Sequence, residues 1–167
     1  MEVKTAIILA GGFGTRLQSV IKDVPKPMAP VNGIPFLNYQ INYLKHYGIK
    51  QVILSVGYLH SVISEYYKNE FNGVKIFYAI EETALGTGGG IRQALELSKD
   101  ELVLALNGDS FFDIPLDDFA KMHEENKSQF SLATRKVADA SRYGTIETDV
   151  SYRITSFKEK DVNKKEG

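Results

Sequence analysis

The chain has 167 residues, 43% of them hydrophobic, which suits one domain with a real core. Its net charge of −1 argues against a generally basic nucleic-acid surface, and the absence of cysteine excludes disulfides, thiolate metal sites and cysteine nucleophiles. No apolar run approaches the roughly 20 residues that span a bilayer, so the expectation is a cytoplasmic protein with neither nucleic acid nor membrane as a partner.

The first element is an apolar run, Thr5 to Leu9, which reads as a buried strand. Directly after it come Ala10, Gly11, Gly12, Phe13, Gly14, Thr15 and Arg16, placing three glycines where an α/β sheet ends and ligands bind. Bare backbone there lets main-chain N–H groups approach an anion. The spacing fits neither a Walker loop nor a dinucleotide fingerprint, whose third glycine is replaced by Leu17. Taken alone, the glycines fit a tight turn equally well. Arg16 offers a guanidinium fork for two phosphate oxygens, and Lys26 sits between Pro25 and Pro27, whose restricted backbone could aim its ammonium at phosphate or simply stiffen an exposed loop.

Further along, Leu37, Ile41 and Leu44 form one apolar stripe of a helix from Phe36 to Tyr47, with Gly48 as its C-terminal cap. A strand Gln51 to Val56, a helix His60 to Asn69 and a strand Val74 to Ala79 follow. Leu85-Gly86-Thr87-Gly88-Gly89-Gly90 reads as a loop before a helix at Gly90 to Leu97, and could meet a base edge-on or need no ligand at all. A strand Leu102 to Leu106 leads into Asn107-Gly108-Asp109, a common turn sequence that also presents a hard oxygen suited to Mg²⁺. A helix Leu116 to Glu124, a strand Phe130 to Thr134 and an antiparallel pair, Gly144 to Asp149 with Tyr152 to Lys158, complete the reading. The order predicts an α/β fold: a Rossmann-like, mainly parallel sheet flanked by helices, with a β-rich late segment. His46, His60 and His123 are scattered without ligand spacing.

Leu9 to Leu17 together with Pro25 to Met28 resembles the signature of the sugar-1-phosphate nucleotidyltransferases. The resemblance continues through Leu85 to Gly89, Asn107 to Asp109, Arg142-Tyr143-Gly144 and Phe157-Lys158-Glu159-Lys160, covering nearly the whole chain. It implies transfer of a nucleotidyl group from a nucleoside triphosphate to a sugar 1-phosphate, with release of pyrophosphate and Mg²⁺ as cofactor. The branch most resembled uses GTP and D-glycero-D-manno-heptose 1-phosphate. Hexose-1-phosphate uridylyl- or guanylyltransferases are the neighbouring alternative, and a non-catalytic regulatory relative is another.

Carried over residue by residue, the resemblance implies that Arg16, Lys26 and Asp109 do the chemistry, with Asp109 as metal ligand. It places Leu9, Ala10, Gly11, Gly12, Gly14, Thr15, Leu85, Gly86, Thr87 and Gly88 at the nucleotide. Glu81 or Glu82 lies where a base contact is found, with Glu82 favoured, and a carboxylate there suits guanine's two donors. Asn107, Gly144 and Glu159 fall at the sugar and Lys160 at its phosphate. Asp161 departs from the proline that commonly follows this Glu-Lys pair. Members continue beyond this point, so residues 1–167 read as one nucleotidyltransferase domain lacking its C-terminal part. Homo-oligomerisation stays open.

Overall fold

The computed structural model describes residues 3–12, 24–140 and 143–159. The chain packs as two units, Met1–Gln129 and Phe130–Gly167.

In the first unit, strand β1 (Thr5–Leu9) is followed by a 3₁₀ turn (Lys26–Met28), a short hairpin of β2 (Pro30–Val31) and β3 (Ile34–Pro35), helix α1 (Phe36–His46) and β4 (Gln51–Val56). Then come α2 (His60–Tyr67), β5 (Glu70–Phe71), β6 (Val74–Ile80), α3 (Gly86–Leu95), β7 (Val103–Asn107) and α4 (Leu116–Glu125). The main sheet has the order β5-β6-β4-β1-β7. Strands β6, β4, β1 and β7 run parallel and β5 antiparallel. A central parallel strand covered on both faces needs apolar side chains on both, which is why β1 is a continuous apolar run rather than an alternating one. Ala6 and Ile8 join the core of Leu37, Ile41 and Leu44 from α1 and Ile63 from α2. Ile7 faces the other way, with Ile53, Ala79 and Ala94.

The expected stripe of α1 is fully buried. The helix ends in a Schellman arrangement: Gly48 (φ +82°) donates to Lys45 O and Ile49 to Leu44 O. Two short hairpins add to the expected elements, and each turns on Asn-Gly. Asn32-Gly33 and Asn72-Gly73 have φ of +50°/+77° and +51°/+82°, the paired positive values that a two-residue turn requires.

Two expectations need correction. Helix α3 starts at Gly86, so the glycines form its opening turns instead of a preceding loop. Each glycine costs a helix about 1 kcal/mol relative to alanine, but packing overrides this: a Cβ on Gly90 would lie 2.9 Å from both Glu81 Oε1 and Ser55 Oγ. The segment Phe130 to Thr134 is not a strand. An apolar run becomes one only with a ladder partner, and Phe130 is 73% exposed.

In the second unit, β8 (Thr145–Thr148) and β9 (Ile154–Lys158) pair antiparallel as expected, with Thr145 opposite Lys158 and Ile146 opposite Phe157. Asp149 Oδ1 accepts the N–H groups of Ser151 and Arg153 and so organises the connecting turn.

Candidate active site

The parallel strands end at one edge of the sheet. The connections from β1 and β6 lead to opposite sides of β1, so the crevice at this switch point lies between β1 and β7. Beyond β1, Ala10 N–H donates to Ser55 O at 2.7 Å, holding the glycine segment against the end of β4. On the other side Leu9 pairs with Asn107, and Gly108 N–H donates to Leu9 O at 2.8 Å. A Cβ on Gly108 would sit 2.7 Å from that same carbonyl oxygen, so only glycine lets the turn lie so close. The next residue is Asp109.

Lys26 reaches this carboxylate from the 3₁₀ turn. Met28 is buried in the core and Met28 N–H donates to Pro25 O, so the Pro-Lys-Pro-Met segment is anchored by its apolar end while its cation remains at the surface. Lys26 Nζ donates to Asp109 Oδ2 at 2.5 Å, and Ser110 Oγ donates to Oδ1 at 3.0 Å. Partial burial pushes the Asp109 carboxyl up, but the hydrogen bonds from Lys26 and Ser110 and the nearby ammonium charge outweigh it and hold the group below the usual carboxylate range. Both side chains of the pair are about 40% exposed. Such a pair contributes at most about 1 kcal/mol to stability. Its significance is placement: two charged residues 83 positions apart in sequence meet beside bare backbone.

At the opposite border of the edge, Glu81 ties three elements together. Its Oε1 accepts Ser55 Oγ–H at 2.6 Å and its Oε2 accepts Leu85 N–H at 3.1 Å, at the start of α3. A Cβ on Gly11 would lie 3.0 Å from Oε1. Glu82, favoured from sequence, is exposed, and it is Glu81 that carries the network. The signal for it was Ser55, a hydroxyl inside the buried apolar run of β4. Gly86, Thr87 and Gly88 form the first turn of α3, where N–H groups have no partner within the helix.

In the second unit, Gly144 and Glu159 lie just beyond the Thr145–Lys158 pair, on opposite strands at the open end of the hairpin. A Cβ on Gly144 would meet the Phe157 ring at 3.3 Å. Gly14, Thr15, Arg16, Arg142 and Lys160 lie outside the described residues.

The profile of the Nucleotidyl transferase family matches residues 5–166. The chain belongs to this family. This nucleotidyltransferase is 52% identical over 162 residues to D-glycero-alpha-D-manno-heptose 1-phosphate guanylyltransferase of Campylobacter jejuni, covering 97% of the chain and 71% of that protein. The enzyme of the same name from Aneurinibacillus thermoaerophilus is 45% identical over 155 residues, covering 93% of the chain and 67% of the relative. Among solved structures, HddC from Yersinia pseudotuberculosis complexed with GMP-PN superimposes with a TM-score of 0.81 at 33% identity, covering 95% of this chain and 70% of that one.

Among the described residues, no three or more His, Asp or Glu side chains converge as a self-sufficient metal site. One hard carboxylate at the sheet edge nevertheless fits Mg²⁺, which is held by one or two carboxylates plus phosphate oxygens and water. No helix among the described residues is long and apolar enough to cross a membrane.

Proposed function

We propose that this nucleotidyltransferase joins GTP to D-glycero-α-D-manno-heptose 1-phosphate, giving GDP-heptose and pyrophosphate. An oxygen of the sugar phosphate attacks the α-phosphorus, a P–O bond forms, and the bond to the leaving pyrophosphate breaks. The observation that carries the reaction class is the meeting of Lys26 and Asp109 directly after Gly108, which packs on Leu9 at the β1/β7 edge. The identity of 52% to a heptose 1-phosphate guanylyltransferase supports the choice of substrates.

Such a displacement needs little covalent help, so catalysis rests on holding phosphates in line and offsetting their charge. In this reading the N–H groups of Gly11 and Gly12 meet the triphosphate, with Arg16 supplying a second, bidentate cation. Lys26 donates to a phosphate oxygen when it leaves Asp109. Asp109 would then hold Mg²⁺, whose charge offsets that of the phosphate oxygens when bound. The α3 start and Glu81 border the nucleoside, while Asn107, Gly144, Glu159 and Lys160 serve the sugar phosphate.

The test is pyrophosphate release across GTP, UTP and dTTP, each with heptose, mannose and glucose 1-phosphates. GTP with the heptose 1-phosphate should give the highest kcat/KM. A higher value for UTP with glucose 1-phosphate would overturn the substrate assignment.

A further inference from the structure

We infer that Gln40 is a positioning residue that sets the place of Asp109. The inference rests on the reading of Asp109 as the carboxylate that meets a divalent cation. Gln40 lies on the core side of α1 between Leu37 and Leu44, and it is 1% exposed where an apolar residue would ordinarily stand. Its Nε2 donates two hydrogen bonds, to Asn107 O and Ser110 O, both at 2.8 Å. These carbonyls flank Asp109 on either side. Asn107 ends β7 at the edge of the sheet and Ser110 lies beyond the strand, so a side chain serves these carbonyls. Anchoring both limits how the turn can rotate, and hence where its carboxylate points.

Apolar packing alone does not call for a glutamine here. Its Oε1 is buried without a hydrogen-bond partner among the described residues. An apolar residue of similar length would avoid that acceptor but would leave Asn107 O and Ser110 O without their donor. Reversing the amide would bring Oε1 against two carbonyl oxygens, so the hydrogen bonds themselves fix its orientation. One helical turn later the Tyr43 hydroxyl accepts Ile114 N–H at 3.1 Å and donates to Ile114 O. The Tyr43 ring also meets Phe111 edge-on, with centroids 5.0 Å apart. The α1 face thus has two grips on the segment after β7. Gln40 holds the part bearing Asp109, and Tyr43 holds the part beyond it.

The experiment is Mn²⁺ binding followed by electron paramagnetic resonance, with a non-hydrolysable GTP analogue present. It uses wild type, Gln40→Met, Gln40→Leu, Tyr43→Phe and Asp109→Asn, with thermal midpoints in parallel. Disturbing the support of a metal ligand weakens metal affinity by about 10- to 100-fold. We expect a loss of at least about tenfold in Gln40→Met, in a chain that still folds although its midpoint falls because two carbonyls lose their donor, whereas Tyr43→Phe lowers the midpoint without a comparable loss of affinity. Should Gln40→Met fold poorly, Gln40→Leu supplies the same comparison. Unchanged Mn²⁺ affinity in a folded Gln40 variant, or loss of stability alone, would make Gln40 merely structural and overturn the inference. Unchanged affinity in Asp109→Asn would instead overturn the reading of Asp109, so the two failures are distinct.

Discussion

The turn after β7 and the hairpin of β8 and β9 are both proposed to meet substrate, yet they are built in opposite ways. Around Asp109 the backbone is fixed by groups from elsewhere in the first unit: Leu9 O beneath Gly108, Gln40 across Asn107 and Ser110, and Tyr43 at Ile114. The hairpin of the second unit is held by its own ladder and by Asp149, and it leaves Tyr152 and Phe157 at 88% and 59% exposure. Phosphoryl chemistry tolerates little misplacement, whereas recognition of sugar hydroxyls can be distributed over several weaker contacts. Substitutions in the first region should therefore act on turnover and on metal, and those in the second on the affinity for one substrate.

The largest effect should come from Asp109→Asn. In the proposed reading this removes the carboxylate that would hold Mg²⁺ at the reacting phosphate and lowers kcat by on the order of 10²-fold or more, while the half-exposed pair with Lys26 contributes little to the thermal midpoint. Comparable losses of turnover and stability would break the distinction. Next, Gly108→Ala drives a methyl group to 2.7 Å from Leu9 O. Forced overpacking of this kind costs about 1–3 kcal/mol, readable as a lower urea midpoint. Gly12→Ala, with nothing among the described residues within 4 Å of the new Cβ, should leave that midpoint unchanged.

Lys26→Met should raise KM for the triphosphate about tenfold, the loss expected for a charge-assisted hydrogen bond. Lys121→Met removes the same charge from an exposed pair with Glu125 on α4 and should do nothing. Equal effects would point to diffuse electrostatics instead of a positioned cation. The smallest change belongs to the hairpin: Glu159→Gln should raise KM for heptose 1-phosphate by about fivefold, with KM for GTP unaltered.

Much of this was legible in sequence because burial writes a direct pattern. The continuous apolar runs of β1 and β4 and the Leu37-Ile41-Leu44 stripe need only local periodicity to be read. Asp109 reads as the residue beyond a strand and Lys26 as a cation braced by two prolines, whereas their meeting across 83 positions is written in neither segment. What periodicity does not record is one element's need to accommodate another. The glycines of α3 look like a loop, and only the packed structure shows Glu81 and Ser55 leaving no room for a Cβ at Gly90. Gln40 looks like an interruption of a core stripe until the carbonyls of the β7 turn are counted. Phe130 to Thr134 has strand composition without a ladder, because pairing belongs to two segments and composition to one.

The division of labour can be measured by amide hydrogen exchange with each substrate supplied separately. GTP with Mg²⁺ should slow exchange at Gly11, Gly12 and the start of α3 while leaving Thr145 to Thr148 unaffected. Heptose 1-phosphate should add protection at the open end of the β8–β9 hairpin, around Gly144 and Glu159. Protection of the hairpin by GTP alone, with the β1 and α3 ends unchanged, would contradict the assignment of the sheet edge to the nucleotide.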